Sequence, residues 1–160
     1  MAKEWGGTIP GHLKEFALSQ KVFFIASAVA DEDVNLSPKG LDCLRIVDEK
    51  TVAYSDYHGS GDITARHMSA GGKATITFIS FGEKPLILRF YCKGRVVARG
   101  TEEFDRLSRD HFAGMQTEYF RRIFYFDIYR VQTSCGFGAP RLEYLGDRTE
   151  TKCHRDLMGL

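Results

Sequence analysis

SPKGLDCLRIVDEKTVAYSDYHGSGD, residues 37–62, holds three signals in a row. A Pro-Lys-Gly turn comes first. Leu41 to Val47 and Thr51 to Ser55 then alternate in polarity around Asp48-Glu49-Lys50, which predicts a β-hairpin. Gly59-Ser60-Gly61 follows as a turn that opens a helix over 62–69, with Ser60 placed to cap it and Gly71-Gly72 to end it. An antiparallel pair that brings Lys39 and Gly40 toward a glycine-hydroxyl-glycine turn makes a cradle for a phosphate group. The stretch therefore points to a phosphorylated cofactor rather than to a free metal or a nucleic acid.

The flanks extend the pattern. Pro10 to Ser19 reads as a short helix with Leu13, Phe16 and Ala17 on one face. Lys21 to Ala28 is apolar throughout and predicts a buried strand, Asp31-Glu32-Asp33 a polar turn, and Val34 to Ser37 the start of the next strand. Lys73 to Ser80 alternates β-branched and apolar residues. Leu86 to Arg99 reads as one long strand with a bulge or bend at Lys93-Gly94. Thr101 caps a helix that continues to about Met115. Arg122 to Gln132 is an aromatic strand in imperfect alternation, and Cys135 to Pro140 a glycine-rich turn. Six or seven short-spaced strands with small helices between them predict a mainly β chain, an antiparallel closed or partly closed barrel rather than a Rossmann sheet.

The bulk properties narrow the function classes. A chain of 160 residues with 43% hydrophobic and 27% charged residues suits a single domain with a real core. A formal charge of +1 supplies no field for nucleic acid or an anionic membrane. The longest apolar run, Val22 to Ala30, is about half the length of a membrane-spanning helix. The Met-Ala-Lys-Glu-Trp start has no hydrophobic signal core, so a cytoplasmic location is expected. Cys43, Cys92, Cys135 and Cys153 are scattered without a C-x-x-C pair, and the five histidines form no ligand-spaced cluster with them. That argues against a zinc site and for free thiols.

Four ordered blocks carry a family likeness: Asn35 to Asp42 (N-x-SPKG-L-D), Val52 to Gly61 (VAY-x-D and GSG), Lys93 to Val97 (KGRVV) and Val131 to Pro140 (VQTSCG-F-G-x-P). Together they resemble the pyridoxamine 5′-phosphate oxidase-like FMN-binding split barrels over about residues 8–147, and most closely a bacterial branch with the SPKG and QTSCG segments. The resemblance implies an antiparallel split β-barrel core, a charged tail over 148–160, and an obligate homodimer holding FMN at the subunit interface.

It also implies roles for individual residues. Lys39, with Gly40, is expected at the phosphate, where an ammonium serves as a point-charge partner. Ser60 and Gly61 are expected to offer a hydroxyl and amides. Asp62 departs from the Asn or basic residue that relatives carry nearby: it either points to solvent or weakens phosphate binding. Tyr54, Ser55 and Asp56 should edge the flavin ring, and Thr77, Ile79 and Ser80 the ribityl chain. Arg89 either lies on the barrel exterior or crosses the interface toward cofactor or substrate. Gln132, Ser134, Cys135 and Gly136 should approach the ring, possibly from the neighbouring subunit; Cys135 lacks a nearby His and a resolving cysteine, which favours packing over thiol chemistry. His58 reads as an exposed loop residue, and Trp5 as an N-terminal anchor.

The chemistry then belongs to the flavin. The first reading is an FMN-dependent oxidoreductase acting on a small substrate, with NAD(P)H as a possible donor, and not a true pyridoxamine phosphate oxidase, because Arg141, Arg148 and Arg155 match no substrate-phosphate pattern. The alternatives are a non-catalytic flavin carrier, redox sensor or stress protein, and a split barrel that has exchanged FMN for haem or deazaflavin. Haem would need an axial ligand such as His58, His67 or His154.

Overall fold

A computed structural model describes residues 2–59 and 61–147. Its strands are β1 (Lys3–Trp5), β2 (Phe23–Ala28), β3 (Asn35–Lys39), β4 (Leu44–Ile46), β5 (Thr51–Tyr57), β6 (Lys73–Ile79), β7 (Ile87–Ala98) and β8 (Phe120–Ser134). The helices are α1 (Gly11–Ser19), α2 (Ile63–Ser69) and α3 (Glu102–His111). All strand pairs are antiparallel, in the order β3-β2-β6-β7-β8-β5-β4, with β1 beside the second half of β8. The sheet curls into a half-barrel whose two flanks, β3 and β5, meet across a cleft.

Strand β8 organises the barrel. Its first half pairs with β5 and its whole length from Arg122 onward pairs with β7. Alternation puts Phe124, Phe126, Ile128 and Val131 inside, and these pack with Tyr54, Phe23, Phe78 and Phe90. Tyr54 stacks on Phe124 with ring centroids 4.8 Å apart and on Phe126 at 5.8 Å, and Phe78 meets Phe90 edge-on at 5.2 Å. Such contacts add stabilisation beyond area burial. A second cluster beneath α3 gathers Ala53, Val97, Phe104, Leu107, Phe112, Phe120 and Ile123, so β5 is buried on both faces.

The helices obey local rules. In α1, Leu13 and Ala17 are buried one turn apart. The Thr101 hydroxyl accepts a bond from the Phe104 amide at 3.2 Å, and acids in the first turn of α3 with Arg109 and His111 in the last complement its dipole. The helix ends at His111 rather than near Met115.

Several expectations are corrected. The short strand β1, absent from the sequence pattern, brings the number of strands to eight among the described residues. Strand β2 alternates buried and half-buried positions instead of being buried throughout, because only one of its faces meets the core. Strand β4 starts at Leu44 rather than Leu41, since Leu41 and Asp42 take left-handed φ values of 57° and 54°. The irregularity in the β7–β8 ladder lies between Tyr91 and Cys92, which face Arg130 and Ile128 and leave Tyr129 as the extra residue. Lys93-Gly94 continues in register, paired with Asp127 and Phe126. Gly94 is needed for closeness: a Cβ there would sit 2.4 Å from the Phe126 ring and 2.7 Å from the Met68 sulfur.

Strand β3 forms one edge of the sheet, and Pro38 lies within it, opposite Phe24 of β2. A proline without an N–H is tolerated there because the outer side of an edge strand has no ladder to complete. No helix among the described residues is long and apolar enough to cross a membrane.

Candidate functional site

A small cleft opens where β3 faces β5 and the start of β8. Strand alternation sends Asn35, Ser37 and Lys39 of β3 and Tyr54 and Asp56 of β5 toward it. Gly61, Asp62 and the first turn of α2 close one end, and Arg121 and Phe124 of β8 form the back. The Asn35 amide donates to the Thr64 hydroxyl at 2.9 Å, which ties the β3 edge to α2 across the opening.

The charges are arranged in pairs. Asp56, only 8% exposed, accepts from Arg121 Nε at 2.7 Å and lies 3.2 Å from Arg122 Nε. Arg122 Nη2 donates to Asp62 Oδ1 at 2.5 Å. Arg121 also donates to the Gly59 carbonyl at 3.1 Å and to the Gly61 carbonyl, so it clamps the glycine loop from both sides. The Lys39 ammonium makes no ion pair among the described residues and lies 5.9 Å from the Tyr54 ring centroid. Burial, and secondarily the Asp56 carboxylate, push the Tyr54 phenol well above its usual range, so it stays neutral.

Of the residues singled out from sequence, Lys39, Tyr54, Asp56, Gly61 and Asp62 come together here. Asp62 points toward solvent, its side chain 57% exposed, and Arg122 pairs with it. It makes no side-chain cap on α2, which starts at Ile63 and has seven residues. Ser60 lies outside the described residues. Ser55 is buried on the opposite face of β5 from the cleft, with no hydrogen-bond partner for its hydroxyl, and Gly40 lines a separate hollow beside Lys21 and Cys43.

The remaining residues form a second group away from the cleft. Arg89 pairs in register with Gln132 and donates to the Ser134 hydroxyl at 2.8 Å. The Tyr91 hydroxyl donates to Gln132 Oε1 at 2.9 Å, and the Gln132 amide in turn donates to Glu4 of β1 at 2.5 Å. These side chains are half-buried on the outer face of β7 and β8. Exposed Cys135 accepts from the Phe137 amide at 3.4 Å, a contact that shapes its own turn. Gly136 is required by proximity, since a Cβ would lie 2.7 Å from the Leu86 nitrogen. Thr77 faces Arg89 in register, Ile79 borders a hollow with Leu142 and Tyr144, and the Ser80 hydroxyl accepts from the Gly82 amide at 3.3 Å.

The imidazoles are placed differently from one another. His67 is fully buried, with Nδ1 at 2.9 Å from the Ser27 hydroxyl and Nε2 at 3.5 Å from Glu32, which leaves it no access to a ligand. His58 is exposed on the loop beyond β5, and His154 lies outside the described residues. Among the described residues no group of three or more His, Cys, Asp or Glu side chains could hold a metal ion.

Sequence reasoning missed Arg121 and Arg122, as well as Asn35, Thr64 and Phe124. The arginine pair reads as the charged approach to an aromatic strand; only the β5–β8 register, which sets Asp56 opposite Arg122, reveals its role.

Comparison with solved structures gives the same architecture. A variant of HupZ from Group A Streptococcus superposes with a TM-score of 0.64, at 21% identity over 79% of this chain and 99% of that one. HutZ, the haem storage protein of Vibrio cholerae, gives 0.55 at 16% identity, covering 81% of this chain and 98% of that one. An FMN-binding protein from Syntrophomonas wolfei gives 0.53 at 15%, covering 72% and 77%. At these identities the likeness establishes the split-barrel fold alone. In sequence, the chain is 34% identical over 147 residues to the pyridoxamine 5′-phosphate oxidase family protein ustO of Aspergillus flavus, a match that takes in 88% of this chain and 57% of that relative's length. The family model described as pyridoxamine 5′-phosphate oxidase matches residues 9–135, a span that runs from before α1 to the end of β8 and contains every residue of the cleft. With that span, the cleft and the split barrel in agreement, the chain is a member of the pyridoxamine 5′-phosphate oxidase family.

Proposed function

We propose that the cleft binds FMN by its phosphate end and that the protein is a flavin-dependent oxidoreductase acting on a small molecule. One observation carries the reading: among the described residues the cleft presents a lysine without a carboxylate partner, while both of its carboxylates are held by arginines. Anionic ligands suit such a site and cationic ones do not. The FMN-binding protein of similar fold supports the choice of cofactor.

Lys39 would hold the phosphate, and Gly61, Tyr54 and Asp56 would border the rest of the molecule. Bound flavin supplies hydride or electron exchange, with NAD(P)H a candidate donor. The small cleft would take only the phosphorylated end of the cofactor, and a second copy of the chain would complete the pocket for the ring. In that homodimer the outer-face group of Arg89, Gln132 and Ser134 with Cys135 and Gly136 would contribute from the partner. A cytosolic setting accords with the free thiols of Cys43, Cys92 and Cys135.

A flavin carrier or sensor without turnover uses the same site and is separated by kinetics. The haem reading draws on HutZ, but the burial of His67 removes it as an axial ligand.

Absorption of the purified protein, with the released ligand identified by mass, tests the reading. Flavin bands and an FMN mass are expected. A colourless protein that takes up no FMN on incubation would overturn it, and a Soret band would turn it toward haem. Lys39→Ala is expected to weaken FMN binding by about 1–3 kcal/mol, and steady NAD(P)H turnover would distinguish enzyme from carrier.

A further inference from the structure

We propose that Arg121 is the second cation of the phosphate-binding end of the cleft, positioned by Asp56, and that Arg122 serves as the counter-charge that makes Asp62 compatible with an anion there. The inference rests on the FMN reading above and assigns part of that site to two residues of β8.

Arg121 lines the cleft together with Lys39, from a strand on its far side. A guanidinium carries five N–H donors in a fixed plane. Three are committed: Nε to Asp56, one Nη1 hydrogen to the Gly59 carbonyl and one Nη2 hydrogen to the Gly61 carbonyl. Two remain, one on each terminal nitrogen, in a side chain only 18% exposed. A largely desolvated fork with two spare donors at the wall of a cleft is suited to a tetrahedral oxyanion. Asp56 and the loop fix the plane of that fork, because the carboxylate takes the Nε hydrogen while each glycine carbonyl takes one terminal hydrogen.

Arg122 does not line the cleft, and its role is different. It bridges Asp56 at 3.2 Å and Asp62 at 2.5 Å, so both carboxylates near the site are turned into guanidinium contacts. Lys39, Arg121 and Arg122 stand against Asp56 and Asp62, which leaves one positive charge for an incoming dianion. The loop of Gly59 and Gly61 is bound by the same guanidinium that would meet the phosphate, so loop order and anion binding are coupled through one side chain.

FMN and riboflavin differ only in the phosphate, and titrating the full chain with each, by quenching of flavin fluorescence, isolates its contribution. The unaltered protein is expected to prefer FMN. Arg121→Gln is expected to lower the ratio of riboflavin to FMN dissociation constants by roughly ten- to hundredfold, with the riboflavin constant unchanged. Arg121→Lys keeps a charge beside Asp56 but drops the fork, and roughly a three- to tenfold loss is expected; this variant decides the matter where Arg121→Gln does not fold. An undiminished ratio in a folded Arg121 variant, with FMN preference intact in the unaltered protein, overturns the role of Arg121 alone. Absence of FMN preference in the unaltered protein overturns the FMN reading and this inference with it.

Discussion

Arg122 reaches Asp62 at 2.5 Å across 60 residues of sequence, and through this contact the end of the cleft tolerates a carboxylate. Removing the cation should therefore harm anion binding even though Arg122 does not line the cleft. Arg122→Gln is expected to weaken FMN affinity by about 1–2 kcal/mol, and Asp62→Asn in the same background to restore most of it. Calorimetric titration of the two single variants and the double variant checks the pairing. Additive losses, with no rescue, would show that the two side chains act independently.

Asp56 is a structural anion as well as a neighbour of the cleft. Removing it leaves Arg121 with the Gly59 and Gly61 carbonyls and Arg122 with Asp62, although both guanidinium side chains are less than one-fifth exposed. Asp56→Ala is expected to cost about 1–3 kcal/mol of stability, less than the loss of one partner in a fully buried pair because the arginines keep some water. Urea unfolding with unchanged m-value measures it.

Gly94 marks a contact rather than a bend. Gly94→Ala is expected to destabilise by about 1–3 kcal/mol as the new methyl meets Phe126 and Met68. Its exposed neighbour provides the control: Lys93→Ala should stay within about 0.5 kcal/mol of the starting protein. Equal effects at the two positions would contradict the packing explanation.

Acid should loosen two surface clamps. The Arg66 hydrogen bond holds the Glu32 carboxyl below its ordinary value of 4.5, and the Arg95 hydrogen bonds do the same for Glu103. A depressed folded-state pKa gives stabilisation that is complete above the unfolded value and is lost as pH falls through the folded one. The stability curve should accordingly descend below about pH 4.5, and Glu32→Gln and Glu103→Gln should each make that descent shallower. Thermal melts between neutral pH and pH 3 record the difference.

The thiols should react in a defined order. Burial pushes Cys43 up to about 12 and raises Cys92 as well, while Cys135 is exposed. A thiol reagent at mildly alkaline pH is expected to modify Cys135 in the native protein and to reach Cys43 and Cys92 only in denaturant. Peptide mapping after labelling reads the outcome.

Much of the architecture could be read from local pattern because it is locally determined. The β4–β5 hairpin follows from alternation around Asp48-Glu49-Lys50, and α3 follows from Thr101 and the charges at its two ends. Glycine at 94 advertises backbone freedom and so suggests a bulge there, but the residue is required by the Phe126 ring lying against it, and the bulge falls at Tyr91 and Cys92. Half of the cleft was legible because Lys39, Tyr54, Asp56, Gly61 and Asp62 fall within the one stretch 37–62, although β3 and β5 then carry them to opposite flanks. The other half was not. Arg121 and Arg122 matter only because β5 and β8 pair in one register, and a charge pattern on a single strand carries no trace of its partner. The group around Arg89 and Gln132 is likewise joined by the β7–β8 ladder and not by sequence.

Pro38 has a consequence for the outside of the barrel. A strand that could offer its full row of amides along an open edge would be a template for zipping onto a foreign strand. A proline in that edge and the Lys39 ammonium next to it interrupt the template. The edge beside the cleft is thus made unsociable toward other chains by its own covalent chemistry, which leaves it to small ligands.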